Sequence, residues 1–264
     1  MLLLVCLCAS GCSRLTFVRP SVERQDYQRV APEYNVSDSR ATKQAASARV
    51  STSMARQHLT QGDLVAAEKL ARQALDADPR SEQAHTLLAV IHDRQGNRGK
   101  AGEHYRRATE LAPGSGAALN NYGTWLCGMG RADESLEWFD RALADNAYRT
   151  PAAALANGGA CALQAGVDDR AETYSRAAIE IDPGNPVALA TLSARAFQNG
   201  RALEARAFSE RRLAAAPADA QALLLASQIE EKLGDTDAAA RYVQRLRAEF
   251  PKSSGSGTGD DGRQ

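Results

Sequence analysis

Between residues 48 and 251 apolar and small side chains return at the three-to-four-residue period of an amphipathic helix, with polar residues on the intervening faces. The runs are punctuated at a fixed interval. Glycines stand at Gly62, Gly96, Gly130, Gly166, Gly200 and Gly234, spaced by 34, 34, 36, 34 and 34 residues. Prolines follow five of them by 17 residues, at Pro79, Pro113, Pro183, Pro217 and Pro251. Five residues after each glycine comes a small residue: Ala67, Ala101, Ser135, Ala171, Ala205 and Ala239. The pattern predicts six copies of one helix–turn–helix unit. The glycine takes positive φ in the turn, the small residue lets the two helices cross closely, and the proline stops the second helix. The third unit has Ala147 in place of its proline, followed by two extra residues, Thr150 and Pro151.

This 34-residue unit resembles the tetratricopeptide repeat. The resemblance implies an all-α solenoid, a right-handed superhelix in which each unit buries its apolar face on its neighbours. It also implies a concave face lined by the first helix of each unit. Carrying the repeat's concave positions over gives Asn120, Asn121 and Thr124 from the third unit, and Asn157 and Gln164, among alanines, from the fourth. The fifth unit gives Thr191 and Phe197, and the sixth Leu224, Leu225 and Gln228. An amide is donor and acceptor together and can pair with a peptide backbone, while apolar neighbours take side chains. That face suits a segment of another protein; the alternative is that Asn121 and Asn157 satisfy backbone groups within their own units. Both tryptophans, Trp125 and Trp138, fall in the third unit, as core filling or as an anchor for a partner.

The amino terminus differs. Leu2 to Cys8 is apolar, and Ala9-Ser10-Gly11-Cys12 resembles a bacterial lipobox, so residues 1–11 are expected to be a lipoprotein signal peptide and Cys12 the lipidated residue. The segment lacks the usual basic start, which places the expected start codon upstream. Ser13 after the cysteine favours the outer membrane by analogy with enterobacterial sorting. Residues 12–47 are then the lipidated cysteine and a flexible tether. Within it, Arg14 to Ser39 shows no helical period and has a coil reach of roughly 25–30 Å. Residues 252–264, rich in Ser, Gly and Asp, are expected to be a disordered tail. No apolar run reaches the ~20 residues of a membrane-spanning helix. Once the signal is removed, Cys127 and Cys161 remain besides Cys12. They lie on neighbouring first helices, and in an oxidising compartment they are a disulfide candidate. Two buried, unpaired thiols are the alternative.

Composition agrees with helices: alanine makes up roughly a fifth of the 264 residues and aromatics 5%. Lys and Arg number 32, as do Asp and Glu, so the net charge of zero argues against nucleic acid as partner. Catalytic chemistry finds no support. Phosphate-binding glycine loops, H-E-x-x-H and G-x-S-x-G are absent from the sequence. His58 and His92 occupy equivalent positions of adjacent units, but two histidines without further ligands make a weak metal site, and packing or exposure is the expectation. Glu230-Glu231-Lys232 reads as a solvated helix face. We expect no enzyme, cofactor, metal or small-molecule substrate.

Three stretches go beyond a generic repeat. They are Asn120-Asn121-Tyr122-Gly123-Thr124-Trp125-Leu126-Cys127, then Tyr148-Arg149-Thr150-Pro151, then Asn157-Gly158-Gly159-Ala160-Cys161. With Leu233-Gly234-Asp235 and the ending Leu246 to Pro251, they resemble the PilF/PilW type IV pilus biogenesis lipoproteins, with Trp125 where that family usually has Phe. The resemblance implies a pilotin. Such an outer-membrane lipoprotein faces the periplasm, binds the pilus secretin and promotes its localisation, multimerisation or stability, and hence twitching motility. A lipoprotein adaptor for periplasmic cell-wall enzymes is the alternative for a chain of this architecture.

Overall fold

The structure, a computed structural model, describes residues 39–251. The expected signal peptide, the lipidated Cys12, the tether up to residue 38 and the tail from residue 252 lie outside the described residues. The described chain forms twelve α-helices and no strand: α1 (Arg40–Thr60), α2 (Leu64–Ala77), α3 (Glu82–Arg94), α4 (Arg98–Leu111), α5 (Gly116–Gly128), α6 (Ala132–Leu143), α7 (Pro151–Gln164), α8 (Asp168–Ile181), α9 (Pro186–Gln198), α10 (Ala202–Ala215), α11 (Ala220–Leu233) and α12 (Thr236–Glu249). They pair as six antiparallel hairpins, each expected unit being one of them.

The turn chemistry is that of the repeat. All six turn glycines have φ between +72° and +84°, a region closed to most side chains, and they are the only described residues there. The second helices of five units end two residues before their prolines. In the third unit, where Ala147 replaces proline, Asp145 supplies the stop instead. Its carboxylate accepts from the Ala147 backbone N–H at 2.9 Å and from the Gly116 N–H, at the start of α5, also at 2.9 Å. These two backbone donors hold the Asp145 carboxyl below the usual carboxylate range. Ser81, Ser115, Asn185, Asp219 and Asp235 cap helix starts through side-chain oxygens that accept backbone N–H groups.

Stacking follows one rule. Each second helix packs on the first helix of the next unit and the backbones of consecutive first helices come close, whereas consecutive second helices stand further apart and meet only through long side chains, as Arg170 and Tyr174 of α8 reach Asp140 of α6. The first helices therefore line the inner side of the array. At the hairpin crossings Ala67, Ala101, Ser135, Ala171 and Ala205 are fully buried. Ala239 is only half-buried, because α12 packs on α11 alone among the described residues.

One boundary differs from expectation. The tether was placed up to residue 47, yet α1 begins at Arg40 and runs for 21 residues, against 12 to 14 in the other helices. Residues 40–47 are all exposed, so no apolar period marks them. Six of the eight (Arg40, Ala41, Lys43, Gln44, Ala45 and Ala46) are good helix formers, and they extend a helix that continues where Ala48, Thr52 and Ala55 are buried.

Candidate partner-binding face

The three stretches singled out in sequence meet at one place, the joint between the third and fourth units. On the inner side, Asn157 of α7 donates both amide hydrogens to α5. One goes to Asn120 Oδ1 at 3.1 Å and the other to Thr124 Oγ1 at 3.2 Å, while the Thr124 hydroxyl donates to the Asn120 carbonyl at 2.8 Å. Two turns along α7 from Asn157, Gln164 Nε2 donates to the Cys127 carbonyl at 3.4 Å. Arg94 and the Leu59 carbonyl, at equivalent positions of the first two units, make the same contact at 3.0 Å. Cys127 and Cys161 are joined as a disulfide with Cα atoms 5.8 Å apart, within the range such a bond requires.

Behind this seam the helices approach as closely as backbone permits. A Cβ on Gly159 would lie 2.4 Å from Ser175 Oγ, and one on Gly158 would lie 2.8 Å from the Tyr174 ring. The two extra residues form the entry to α7, with Thr150 just ahead of the helix and Pro151 at its first position, where a missing N–H costs no hydrogen bond. Tyr148, just before them, folds its ring onto Gly116, where a Cβ would come within 2.6 Å of it. On the outer side Asp140 of α6 takes the Tyr174 hydroxyl and the Arg170 guanidinium of α8.

The surface above the joint has a distinct electrostatic character. In a chain that is 24% charged, α5 and α7 contain no charged residue, and α9 contains only Arg195. That guanidinium is turned away from solvent and paired with Glu172 of α8. Glu172 also receives Arg176 at 2.7 Å and faces Arg201 at 3.7 Å, and these neighbours, Arg176 first, hold its carboxyl below the usual range. The centre of the inner face is thus small, uncharged side chains: Ala153, Ala160, Ala190 and Ala194 among half-buried or exposed amides.

The expected groove residues differ in how much of them a partner could reach. Asn120 and Thr191 are buried, because neighbouring first helices close over them; the Thr191 hydroxyl donates to the Val187 carbonyl at 2.9 Å. Asn157 and Gln164 are committed to the seam. Neither holds backbone within its own unit, so the alternative considered for Asn157 does not describe it. Asn121 and Thr124 reach the surface and line a cleft of about 320 Å³ with Tyr105, Trp125, Asp93 and Arg98. Phe197 and Leu225 pack half-buried beside Ala196, Ala205 and Ile229. Leu224 is 46% exposed and Gln228 is exposed. Sequence reasoning did not single out Val187 of α9, 40% exposed at the position that Ala153 holds in α7, although its register marks it as an inner one.

Both tryptophans are partly buried. Trp125 stacks on Tyr122 with centroids 5.7 Å apart, and Tyr122 meets the Trp138 ring edge-on at 4.6 Å. Glu230 corrects the reading of its cluster as solvated: it is 5% exposed and takes a two-pronged contact from Arg206, while Glu231 and Lys232 are exposed. Its position on α11 corresponds to Leu126 of the third unit, an inward position.

The histidines are arranged differently from the pairing of His58 with His92. His58 lies 3.3 Å from the Asp63 carboxylate, and His92 hydrogen-bonds Gln95 at 3.0 Å. His92 shares the hairpin interior with His85 and His104 instead. Among the described residues no three histidines, cysteines or carboxylates are placed to hold a metal ion, and no helix is long and apolar enough to cross a membrane.

Comparison with known proteins agrees with this geometry. Tetratricopeptide-repeat models match residues 52–116 and 126–186, and a second such model matches residues 221–253. The type IV pilus assembly protein PilF of Pseudomonas aeruginosa is 26% identical over 196 residues, 74% of this chain and 78% of that protein. The crystal structure of PilW, a widely conserved type IV pilus biogenesis factor, superposes with a TM-score of 0.71 at 32% identity, covering 78% of this chain and 94% of PilW. The solved structure of P. aeruginosa PilF gives a TM-score of 0.72 at 24% identity, covering 80% of this chain and 96% of that one. The chain belongs to the PilF/PilW family of tetratricopeptide-repeat proteins of type IV pilus biogenesis.

Proposed function

We propose that this protein is a pilotin: a lipoprotein, anchored through Cys12 to the periplasmic side of the outer membrane, that binds the type IV pilus secretin and promotes its assembly there. The observation that carries the reading is the joint between the third and fourth units, where the stretches shared with the family converge beneath an inner face without charge. Such a face suits a segment of protein that brings its own backbone donors and acceptors, since bringing a charged segment there would desolvate charge without a partner. On this reading the protein acts by binding its partner.

A lipid anchor adds ~0.8 kcal/mol per buried CH₂, so several acyl chains hold the solenoid at the bilayer for good, within reach of a secretin subunit. Deleting the gene tests the reading. The expected result is loss of twitching motility together with loss of heat-stable secretin multimers. Normal multimers and pili in the deletion strain would contradict it.

A further inference from the structure

The interior of the second hairpin is built differently from the others. At the fourth position of the first helix, units three to six have Leu119, Leu155, Leu189 and Leu223; the second has His85. At the position facing it on the second helix those units have Trp138, Tyr174, Phe208 and Tyr242; the second has His104. An apolar contact has been replaced by two imidazoles, and their Nδ1 atoms lie 3.0 Å apart. A third, His92, is 2% exposed and stacks on His104 with centroids 5.6 Å apart at 21°. The Gln95 amide fixes its state: Nε2 donates to Glu68 at 2.9 Å, which leaves Oε1 to accept from His92 Nδ1–H. His92 Nδ1 therefore carries a hydrogen when this chain of bonds is intact, and its Nε2 has no partner among the described residues.

A hydrogen bond between two Nδ1 atoms needs one of them bare. With both rings charged each Nδ1 carries a hydrogen, and two cations confront each other at contact distance. A charged His85 has one favourable contact, the Pro79 carbonyl ahead of α3, which accepts a ring N–H, but nothing offsets a second cation beside it. From α2 come Glu68, already engaged by Arg72 and Gln95, and Arg72 itself; from α4 comes Arg107; α5 brings no charge. We infer that the α3–α4 hairpin is a proton-operated joint, closed while His85 and His104 share one hydrogen bond and opened when both are charged, with units three to six remaining stacked. Stability in a repeat array is a sum of local terms, so loss at one hairpin need not spread, and the Cys127–Cys161 bond ties the next two units together.

The sign follows from the histidines' environment. Burial, then His85 and His92, bring His104 down to about 4 from 6.5, and burial lowers His85 as well. Both are neutral in the closed hairpin and take up protons when it opens. Closure is complete above pH 6.5 and is lost as pH falls from there toward 4.

Hydrogen–deuterium exchange on the full chain, at about pH 7.5 and about pH 5 and corrected for intrinsic rates, tests this. Protection in α3 and α4 should fall roughly 10- to 30-fold, that in α7 and α8 should hold, and the double substitution His85→Leu, His104→Phe should abolish the difference. Constant protection in α3–α4, an equal fall in every unit, or a fall that persists in the variant would overturn the inference. Should the variant not fold, NMR titration of the His104 ring in the unaltered protein decides: a midpoint well below 6.5 is expected, and one at or above it contradicts the proposal.

Discussion

Asn157 spends both amide hydrogens on the neighbouring unit, and Gly159 leaves no room for a methyl group. A small change at either should destabilise, by removing contacts at the first and by crowding at the second. Asn157→Ala removes two hydrogen bonds, each worth about 1 kcal/mol net, and should lower stability by roughly 1–2 kcal/mol in a denaturant titration. Gly159→Ala adds a Cβ against Ser175 Oγ; overpacking costs ~1–3 kcal/mol, offset by ~1 kcal/mol of helix preference. A net loss is expected, and adding Ser175→Ala should restore much of it, measured as a double-mutant cycle. Register alone led to Asn120, Asn121 and Asn157 as inner-face residues, because the repeat places them. It does not tell which amides are consumed inside the protein, since that depends on the distance between neighbouring helices. The burial of Glu230 was hidden for a similar reason: its partner Arg206 is 24 residues away and on another helix.

The elements of the third and fourth units carry most of what distinguishes this chain from a generic repeat array. Removing the Cys127–Cys161 bond, by reductant or by Cys127→Ser with Cys161→Ser, releases a closed loop of 34 residues and should cost roughly 3–4 kcal/mol in the chain-entropy model. Urea unfolding with and without reductant measures it; an unchanged midpoint would mean that the stacked helices alone fix the joint. All six hairpins were readable from glycine and proline spacing, because both residues act on backbone torsions locally. The start of α1 was not, because residues 40–47 are all exposed and therefore carry no apolar period. The Asp145 stop was also invisible, since its second partner, the Gly116 N–H, lies 29 residues away in the chain.

For the molecule as a whole, the account joins an array that grips protein to an anchor that keeps it at a bilayer. Cys12→Ala should leave the fold and its unfolding curve unchanged and move the protein from the membrane to the soluble periplasmic fraction; continued membrane fractionation would remove the anchor from the account. The claim on which the rest depends is that the uncharged inner face receives the secretin. A photo-crosslinking residue at Ala160, on that face, and one at the exposed Glu180 of α8, outside it, test this most directly in pilus-forming cells. The account predicts secretin joined to the protein from position 160 and not from position 180. Secretin captured from position 180 alone, or from neither, would contradict it.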